Sequence, residues 1–164
     1  YCKHIKSLAD VQKSGKNEVI FSKDGVPAFS QLIFSWNAFR PLAGYFSFFV
    51  SVKDEATKKW GSWHKMVNWG ADIQQSFHAK HDDGTRYVYV RFEVENGTSN
   101  GFRIKVVANK NADINLLKKL HVNVSDFSKF TKELSKDLNN LNTVAIKNVP
   151  RISLQKRTEG ALES

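Results

Sequence analysis

The sequence predicts an all-β protein: an antiparallel β-sandwich, jelly-roll-like, followed by a C-terminal amphipathic helix or linker. Three observations lead to this fold class. Apolar and polar residues alternate with a period of two through most of the first three quarters of the chain. Asp-Gly and Asn-Gly turns separate the alternating runs. The prolines at positions 27, 41 and 150 fall outside the predicted central strands, as the missing N–H requires. Short strands joined by such turns are typical of sandwiches.

Three runs carry the clearest alternation. One face of GYFSFFVSVK is apolar and consists of Phe46, Phe48, Val50 and Val52. RYVYVRFEVE, residues 86–95, predicts one strand with Val88, Val90, Phe92 and Val94 on its apolar face. GFRIKVVA, residues 101–108, repeats the pattern, and the turn cluster NGTSNG predicts that these two strands pair as a hairpin. Weaker strands are expected over residues 18–22, 29–36, 62–69, 74–78 and 120–125.

The predicted organisation has four parts. Residues 1–17 form an N-terminal tail, 18–125 the β-sandwich, 126–142 a helix, and 143–164 a linker into a missing downstream domain. The helix prediction depends on apolar residues spaced three and four apart, namely Phe127, Phe130, Leu134, Leu138 and Leu141. Because the chain has no initiator methionine, we expect it to begin inside a longer product.

Composition restricts the partners and the chemistry. The 164 residues carry 25 Lys and Arg against 16 Asp and Glu, a formal charge of +9 that is spread along the chain. Dedicated nucleic-acid segments concentrate their positive charge, so we expect no specific nucleic-acid binding, and anionic polymers stay open as partners. No stretch reaches the roughly 20 apolar residues of a membrane-spanning helix, so no transmembrane segment is expected. No GxGxxG or phosphate-binding loop occurs, and no cofactor is expected.

Catalytic and metal-binding patterns are weak. The single cysteine, Cys2, stands near His4 at the chain terminus and excludes a disulfide framework, and the sequence contains no HExxH motif. We therefore predict no catalytic residue within these 164 residues. One cluster combines residue types that bind divalent metals, namely His78, His81, Asp82 and Asp83. Asp83 precedes a glycine, which favours a polar hairpin turn over a metal site.

A tryptophan cluster gives the candidate ligand-binding residues. KKWGSWHKMVNWG holds the four candidates, Trp60, Trp63, His64 and Trp69. Exposed indoles beside hydrogen-bonding groups bind the apolar face of a sugar, but large aromatic residues also fill sandwich cores. Trp63 and Trp69 are six residues apart, so both can point inward in a regular strand, and Trp60 is the best exposed candidate.

A family resemblance appears when the motifs are read in order: SWNAFRPLAGYFSFFVSVK, WGSWHKMVNWG, FEVENGTSNGFRIKVVA, LLKKLHVNVSD and VPRIS. Over residues 31–153 the chain resembles the N-terminal region of bacterial proteins whose C-terminal domain is classed with papain-like cysteine peptidases of the bacteriocin-processing family (family C thirty-nine). That resemblance implies a β-rich accessory domain. The family's oxyanion glutamine, nucleophilic cysteine, histidine and aspartate belong to the following domain. Only Gln155 resembles the family's oxyanion glutamine. It departs from the family's register by one residue, because Leu154 occupies the position where the glutamine is expected.

Together these features predict a non-catalytic accessory module of a secreted or cell-envelope bacterial protein. It would bind substrate, glycan, peptide or surface polymer, or pack on the downstream peptidase domain of the same chain. Two alternatives stay open. In one, the chain is part of an active cysteine peptidase, a hydrolase whose catalytic residues follow position 164. In the other, this domain binds an anionic polymer through its +9 charge.

Overall fold

The computed structural model describes residues 2–7, 13–81 and 83–127. These residues form a short 3-10 helix (Ile114–Leu116) and the strands β1 (Cys2–Ser7), β2 (Lys13–Gly15), β3 (Glu18–Phe29), β4 (Gln31–Ala38), β5 (Tyr45–Asp54), β6 (His64–Gly70), β7 (Gln74–Ser76), β8 (His78–Lys80), β9 (Thr85–Val88), β10 (Arg91–Val94), β11 (Ser99–Asn109) and β12 (Leu117–Ser125). The predicted helix over 126–142, apart from its first two residues, and the predicted linker lie outside this range.

The strands form two antiparallel sheets that pack face to face. The back sheet has the order β1-β12-β4-β10-β9-β8, and the front sheet has the order β2-β3-β11-β5-β6-β7. The chain crosses between the sheets from β3 to β4, from β4 to β5, and again from β10 to β11 and from β11 to β12. The orders β1-β12-β4-β10 and β3-β11-β5-β6 are those of a jelly roll. The predicted all-β sandwich is therefore confirmed.

The core fills the space between the sheets with aromatic side chains. Phe46, Phe48 and Val50 alternate along β5, and all three are fully buried. From the opposite sheet, Trp36 stacks on Phe48 with ring centroids 4.3 Å apart, and Phe34 lies 5.8 Å from the same ring. Burying each such side chain contributes about 2 to 3 kcal/mol. The alternation of GYFSFFVSVK thus places one face of β5 in the core.

Residues 86–95 form a hairpin instead of the single predicted strand. β9 and β10 pair so that Arg91 lies opposite Val88, and Tyr89 between them adopts a left-handed φ of 55°. Residues that pair across a hairpin share a face of the sheet. Tyr87, opposite the core residue Phe92, therefore faces the core, and Val88, opposite Arg91, faces outward. Tyr87 is only 8% exposed, whereas Val88, predicted to be apolar and internal, is 53% exposed.

The hairpin predicted between residues 86–95 and 101–108 is also wrong. β10 belongs to the back sheet and β11 to the front sheet, so the turn cluster between them crosses the sandwich. Each strand has one apolar face. That face can be buried in the core whether the two strands pair in one sheet or lie in two facing sheets. Alternation alone cannot separate these arrangements.

Residues 1–17, predicted as a tail, contain two strands. β1 pairs antiparallel with β12 over all six of its residues, and β2 pairs with β3. Both are edge strands of their sheets. Edge pairing is made by backbone N–H and C=O groups, which leave little trace in a side-chain pattern.

Gly44 joins β4 to β5 where the chain passes closest to the end of β11. Its φ is +73°, and a Cβ at this position would lie 2.1 Å from Asn109 O and 2.3 Å from Lys110 O. These neighbours are backbone atoms, which cannot move aside as a flexible side chain can. Gly25 also has a positive φ, of +65°, but open space surrounds it.

We expect Gly44→Ala to destabilise the domain far more than Gly25→Ala. The control variant loses only the backbone cost of a left-handed alanine, roughly 1 kcal/mol. Gly44→Ala adds a clash with backbone, so its loss should be at least twice as large. Urea denaturation measures both free energies of unfolding. Equal losses would contradict the close approach at Gly44.

Candidate functional site

The outer surface of the front sheet is the most chemically distinctive part of the described structure. Because side chains alternate along a strand, the residues between the core positions of β5 and β11 point outward. Together with neighbours from the β5–β6 connection, β6 and β7 they form what we call the front face: Ser47, Phe49, Ser51, Lys53, Trp60, Trp63, Lys65, Asn68, Gln75, Arg103, Lys105 and Asn109.

Trp60 lies across the front face above a glycine. It pairs with Lys53 in an isolated antiparallel bridge, four residues before β6 begins. A Cβ at Gly101 would approach the Trp60 ring atom Cη2 to 3.2 Å and the Lys53 Cβ to 3.2 Å. Glycine at position 101 therefore leaves room for the indole to rest on β11.

Backbone hydrogen bonds hold the segment that carries both tryptophans. Asp54 closes its turn by accepting hydrogen bonds from the N–H and Oγ1 of Thr57, each 2.6 Å long. Gly61 N–H donates to Val52 O at 2.9 Å, and Ser51 Oγ donates to Gly61 O at 2.8 Å. The segment is thus fastened to β5 on both sides of Trp60, and Trp63 follows two residues after Gly61.

Arg103 lies between the two indoles. Its guanidinium carbon is 4.3 Å from the ring centroid of Trp60 and 4.7 Å from that of Trp63. Each contact contributes about 0.5 to 2 kcal/mol, depending on how far water is excluded. Arg103 Nη2 donates to Ser51 Oγ at 2.9 Å, whereas its Nε is buried without a hydrogen-bond partner. Burial lowers the pKa of the guanidinium.

Two lysines continue the alternation of cations and rings. Lys105 Nζ is 4.7 Å from the centroid of Trp63 and 5.1 Å from that of Phe49. Lys65 Nζ lies 6.0 Å from Phe49 and 5.3 Å from Phe77, which follows β7. Arg103, Lys105 and Lys65 with these aromatic rings form a ladder across β11, β5 and β6.

A row of hydrogen-bonded amides borders the ladder. Ser47 Oγ donates to Asn68 Oδ1 at 2.7 Å and accepts from Asn109 Nδ2 at 3.1 Å. Asn68 Nδ2 then donates to Gln75 Oε1 at 3.3 Å. Ser47 and Asn68 are only 3% and 4% exposed although both point outward. The row ends at Gln75, whose exposed amide can hydrogen-bond a ligand.

Of the four predicted ligand-binding residues, only Trp60 and Trp63 reach the front face. His64 is buried opposite Val50, and Trp69 packs on Phe46 with ring centroids 6.3 Å apart. Both therefore face the interior, and neither can touch a ligand that lies on the front face. For these two residues the ligand-binding prediction finds no support in the geometry.

A β-bulge in β6 explains this separation. Phe48 pairs with Val67 and Phe49 with Lys65, so Met66 is an extra residue without an opposite partner. Each extra residue reverses the alternation that follows it. Trp63 and Trp69 consequently point to opposite sides of the sheet, despite their even spacing of six.

Sequence reasoning missed the cations and the amide row of the front face. The alternation of GFRIKVVA already places Arg103 and Lys105 on one side of a strand, opposite the core residues. Phe49 likewise stands on the polar side of GYFSFFVSVK. These signals were available, but only the pairing of β11 with β5 shows that the three side chains adjoin.

The other candidates lie elsewhere. His78 is exposed on β8, and His81 lies against His64 with ring centroids 4.4 Å apart and ring planes tilted by 43°. Asp82 and Gln155 lie outside the described residues. Within residues 2–7, 13–81 and 83–127 there is no group of three or more histidine, cysteine or acidic side chains that could hold a metal ion. The same residues include no helix long and apolar enough to cross a membrane.

Comparison with known proteins gives no further guide: no protein family, no curated protein and no solved structure matches this chain. The resemblance to the peptidase-associated region stays a prediction. The geometry of the front face must therefore support any functional conclusion.

The buried His64 should make folding stability depend on pH. Burial lowers the pKa of His64 below its ordinary value of 6.5, and Asp83, with Oδ2 3.1 Å from Nε2, opposes only part of this shift. Below about pH 6.5 the unfolded chain binds a proton that the folded chain resists, so the free energy of unfolding should fall as pH decreases from 7.5 to 5.

His64→Gln removes this titration and should flatten the dependence, as urea denaturation at each pH can measure. His78→Gln, which changes an exposed histidine on β8, serves as the control and should keep the slope. The lowered pKa of Asp83 acts in a more acidic window, below its ordinary 3.8. A wild-type domain equally stable at pH 5 and pH 7.5 would contradict the assignment.

Proposed function

We propose that this domain is a non-catalytic module that binds a polysaccharide on its front face. The observation that carries the proposal is the pair of half-buried indoles, Trp60 and Trp63, fastened to the outer surface of the sheet beside a row of amides. An indole provides the flat apolar surface on which the C–H face of a pyranose stacks. Amides such as Gln75 supply hydrogen bonds to sugar hydroxyl groups.

The rigidity of the site favours binding. The backbone bond from Gly61 to Val52 and the contact of Trp60 with Gly101 hold the indole before a ligand arrives. Ordering a mobile side chain on binding costs about 0.5 to 1.5 kcal/mol, and a side chain already held in place avoids much of that cost. Two such indoles therefore form a preorganised surface.

The shape of the site favours a polymer over a small molecule. The front face crosses four adjacent strands, β11, β5, β6 and β7, which span about 14 Å at the usual spacing of antiparallel strands. Trp60 and Gln75 stand toward opposite ends of this width. An extended chain of several sugar units can contact both, whereas a single sugar cannot.

The wider context is a second part of the proposal. The sequence resemblance over residues 31–153 supports placing this module before a papain-like cysteine peptidase domain in a secreted or cell-envelope bacterial protein. There the module would hold a surface polymer near the enzyme or pack on it. Any hydrolase activity of the intact protein would reside in residues after 164.

Replacement of either indole should weaken polysaccharide binding. We expect Trp60→Ala and Trp63→Ala each to raise Kd more than tenfold, because each removes one stacking surface. Affinity gel electrophoresis against acidic and neutral polysaccharides, followed by tryptophan fluorescence titration, measures the change. Phe39→Ala, which removes a 67% exposed aromatic ring outside the front face, is the matched control.

Two results would overturn the binding proposal. One is a wild-type domain that no polysaccharide in the panel retards. The other is a Phe39→Ala variant that loses as much affinity as Trp60→Ala, because exposed aromatic residues in general, and not the front face, would then account for binding.

The 164-residue chain alone should cleave no peptide. Its single thiol is that of Cys2, and Ser99, the serine of a segment that fits GxSxG, is only 1% exposed at the start of β11 and does not stand at a strand-to-helix turn. A fluorescent peptide library incubated with the chain tests this expectation. Cleavage that Cys2→Ser abolishes would assign a catalytic role to the thiol and contradict a purely binding module.

A further inference from the structure

Ion pairs neutralise the three cations on strands β8, β9 and β10 of the back sheet. On the back sheet, Arg91 lies 3.2 Å from Glu93 and Lys80 lies 3.1 Å from Glu95, and Arg86 pairs with both glutamates. Carboxylates of the same surface thus neutralise these three cations.

The front face has cations without such partners. In the part of the chain that the structure describes, no carboxylate comes within ion-pair distance of Arg103, Lys105 or Lys65, although each contacts aromatic rings. Only Lys53 at the edge is paired, with Asp24. The cations of the front face therefore differ from those of β8, β9 and β10, whose charges are neutralised by carboxylates of the same protein.

Arg103 is the most unusual of these cations. A partly buried charge is unfavourable unless an opposite charge or hydrogen bonds compensate it. Two indoles and one bond to Ser51 provide part of that compensation, and none of the described residues forms a hydrogen bond with the buried Nε. A guanidinium has five N–H donors arranged to bind a carboxylate with two parallel hydrogen bonds. The guanidinium of Arg103 therefore has donors left with which to bind a carboxylate.

We infer that the ligand of the front face is an acidic polysaccharide whose sugar carboxylates bind Arg103 and Lys105. This inference rests on the proposed function and specifies its ligand class. The Cα atoms of Arg103 and Lys105 lie about 7 Å apart along β11, and both side chains point to the same side of the strand. Each touches Trp63, so one uronic acid unit can stack its ring on an indole while its carboxylate meets the adjacent cation.

Nucleic acid fits this surface less well. Its binding sites line up many cations along a phosphate backbone, whereas the front face offers three unpaired ones separated by aromatic rings. Planar carboxylates also match the guanidinium fork in geometry. We therefore choose the polysaccharide and treat nucleic acid as an outcome of the test.

The test compares polygalacturonate with the same polymer after full methyl esterification, which neutralises the carboxylates and keeps the sugar backbone. The wild-type domain should bind the acidic polymer at least tenfold tighter. Arg103→Gln should lose this preference and bind the two polymers with nearly equal affinity. Arg103→Lys, which keeps the charge without the fork, should fall between them.

Controls separate a local effect from net charge and from unfolding. Arg91→Gln removes the same charge from the back sheet and should keep the tenfold preference. Lys105→Gln removes a second front-face cation and should reduce the preference, even if Arg103→Gln lowers the melting temperature. The preference should also shrink as salt rises.

The outcomes distinguish the two proposals. Equal binding of both polymers by the wild-type domain would overturn the acidic ligand and leave polysaccharide binding in place. Binding of neutral polysaccharides alone would overturn only the acidic ligand, and no binding of any acidic or neutral polysaccharide in the panel would overturn both. Binding of single-stranded oligothymidylate as tight as that of polygalacturonate would overturn the choice of a polysaccharide.

Discussion

The contact of Phe48 with Phe34 and Trp36 is the interaction on which the rest of the domain depends. It joins the two sheets at the centre of the core, with the Trp36 ring stacked 4.3 Å from that of Phe48. Once Phe48 points inward, the alternation of a strand sends its neighbours Ser47 and Phe49 outward. The core and the front face are therefore two consequences of one orientation of β5.

The front face uses that orientation in an unusual way. Outward positions of a sheet are ordinarily polar and solvated, yet here Ser47 and Ser51 are buried under neighbouring side chains. Trp60 covers Gly101, and Arg103 lies between two indoles. A surface layer with its own hydrogen bonds and ring contacts thus rests on the sheet. This layer lies outside the core between the two sheets, on the side where a ligand can reach it.

Particular residues show how far sequence reasoning reached. The alternation in GYFSFFVSVK correctly identified β5 and its core face, because both depend only on the next residues along the chain. Tyr87 and Val88 lie on the faces opposite to those predicted. The turn at Tyr89 reverses the chain, while apolar and polar residues continue to alternate along the sequence. The bulge at Met66 has a similar effect, because the even spacing of Trp63 and Trp69 places both on one face only in a regular strand.

The amino-acid sequence by itself determined the fold class, the approximate strands and the presence of an aromatic cluster. These features follow from local periodicity, composition and turn residues. Only the tertiary structure decided that Trp63 faces outward, that His64 faces the core, and that Arg103 lies between two indoles from a different segment. The physical reason is that bulges and strand pairings between distant segments choose which side chains meet, and neither leaves a periodic signal in the sequence.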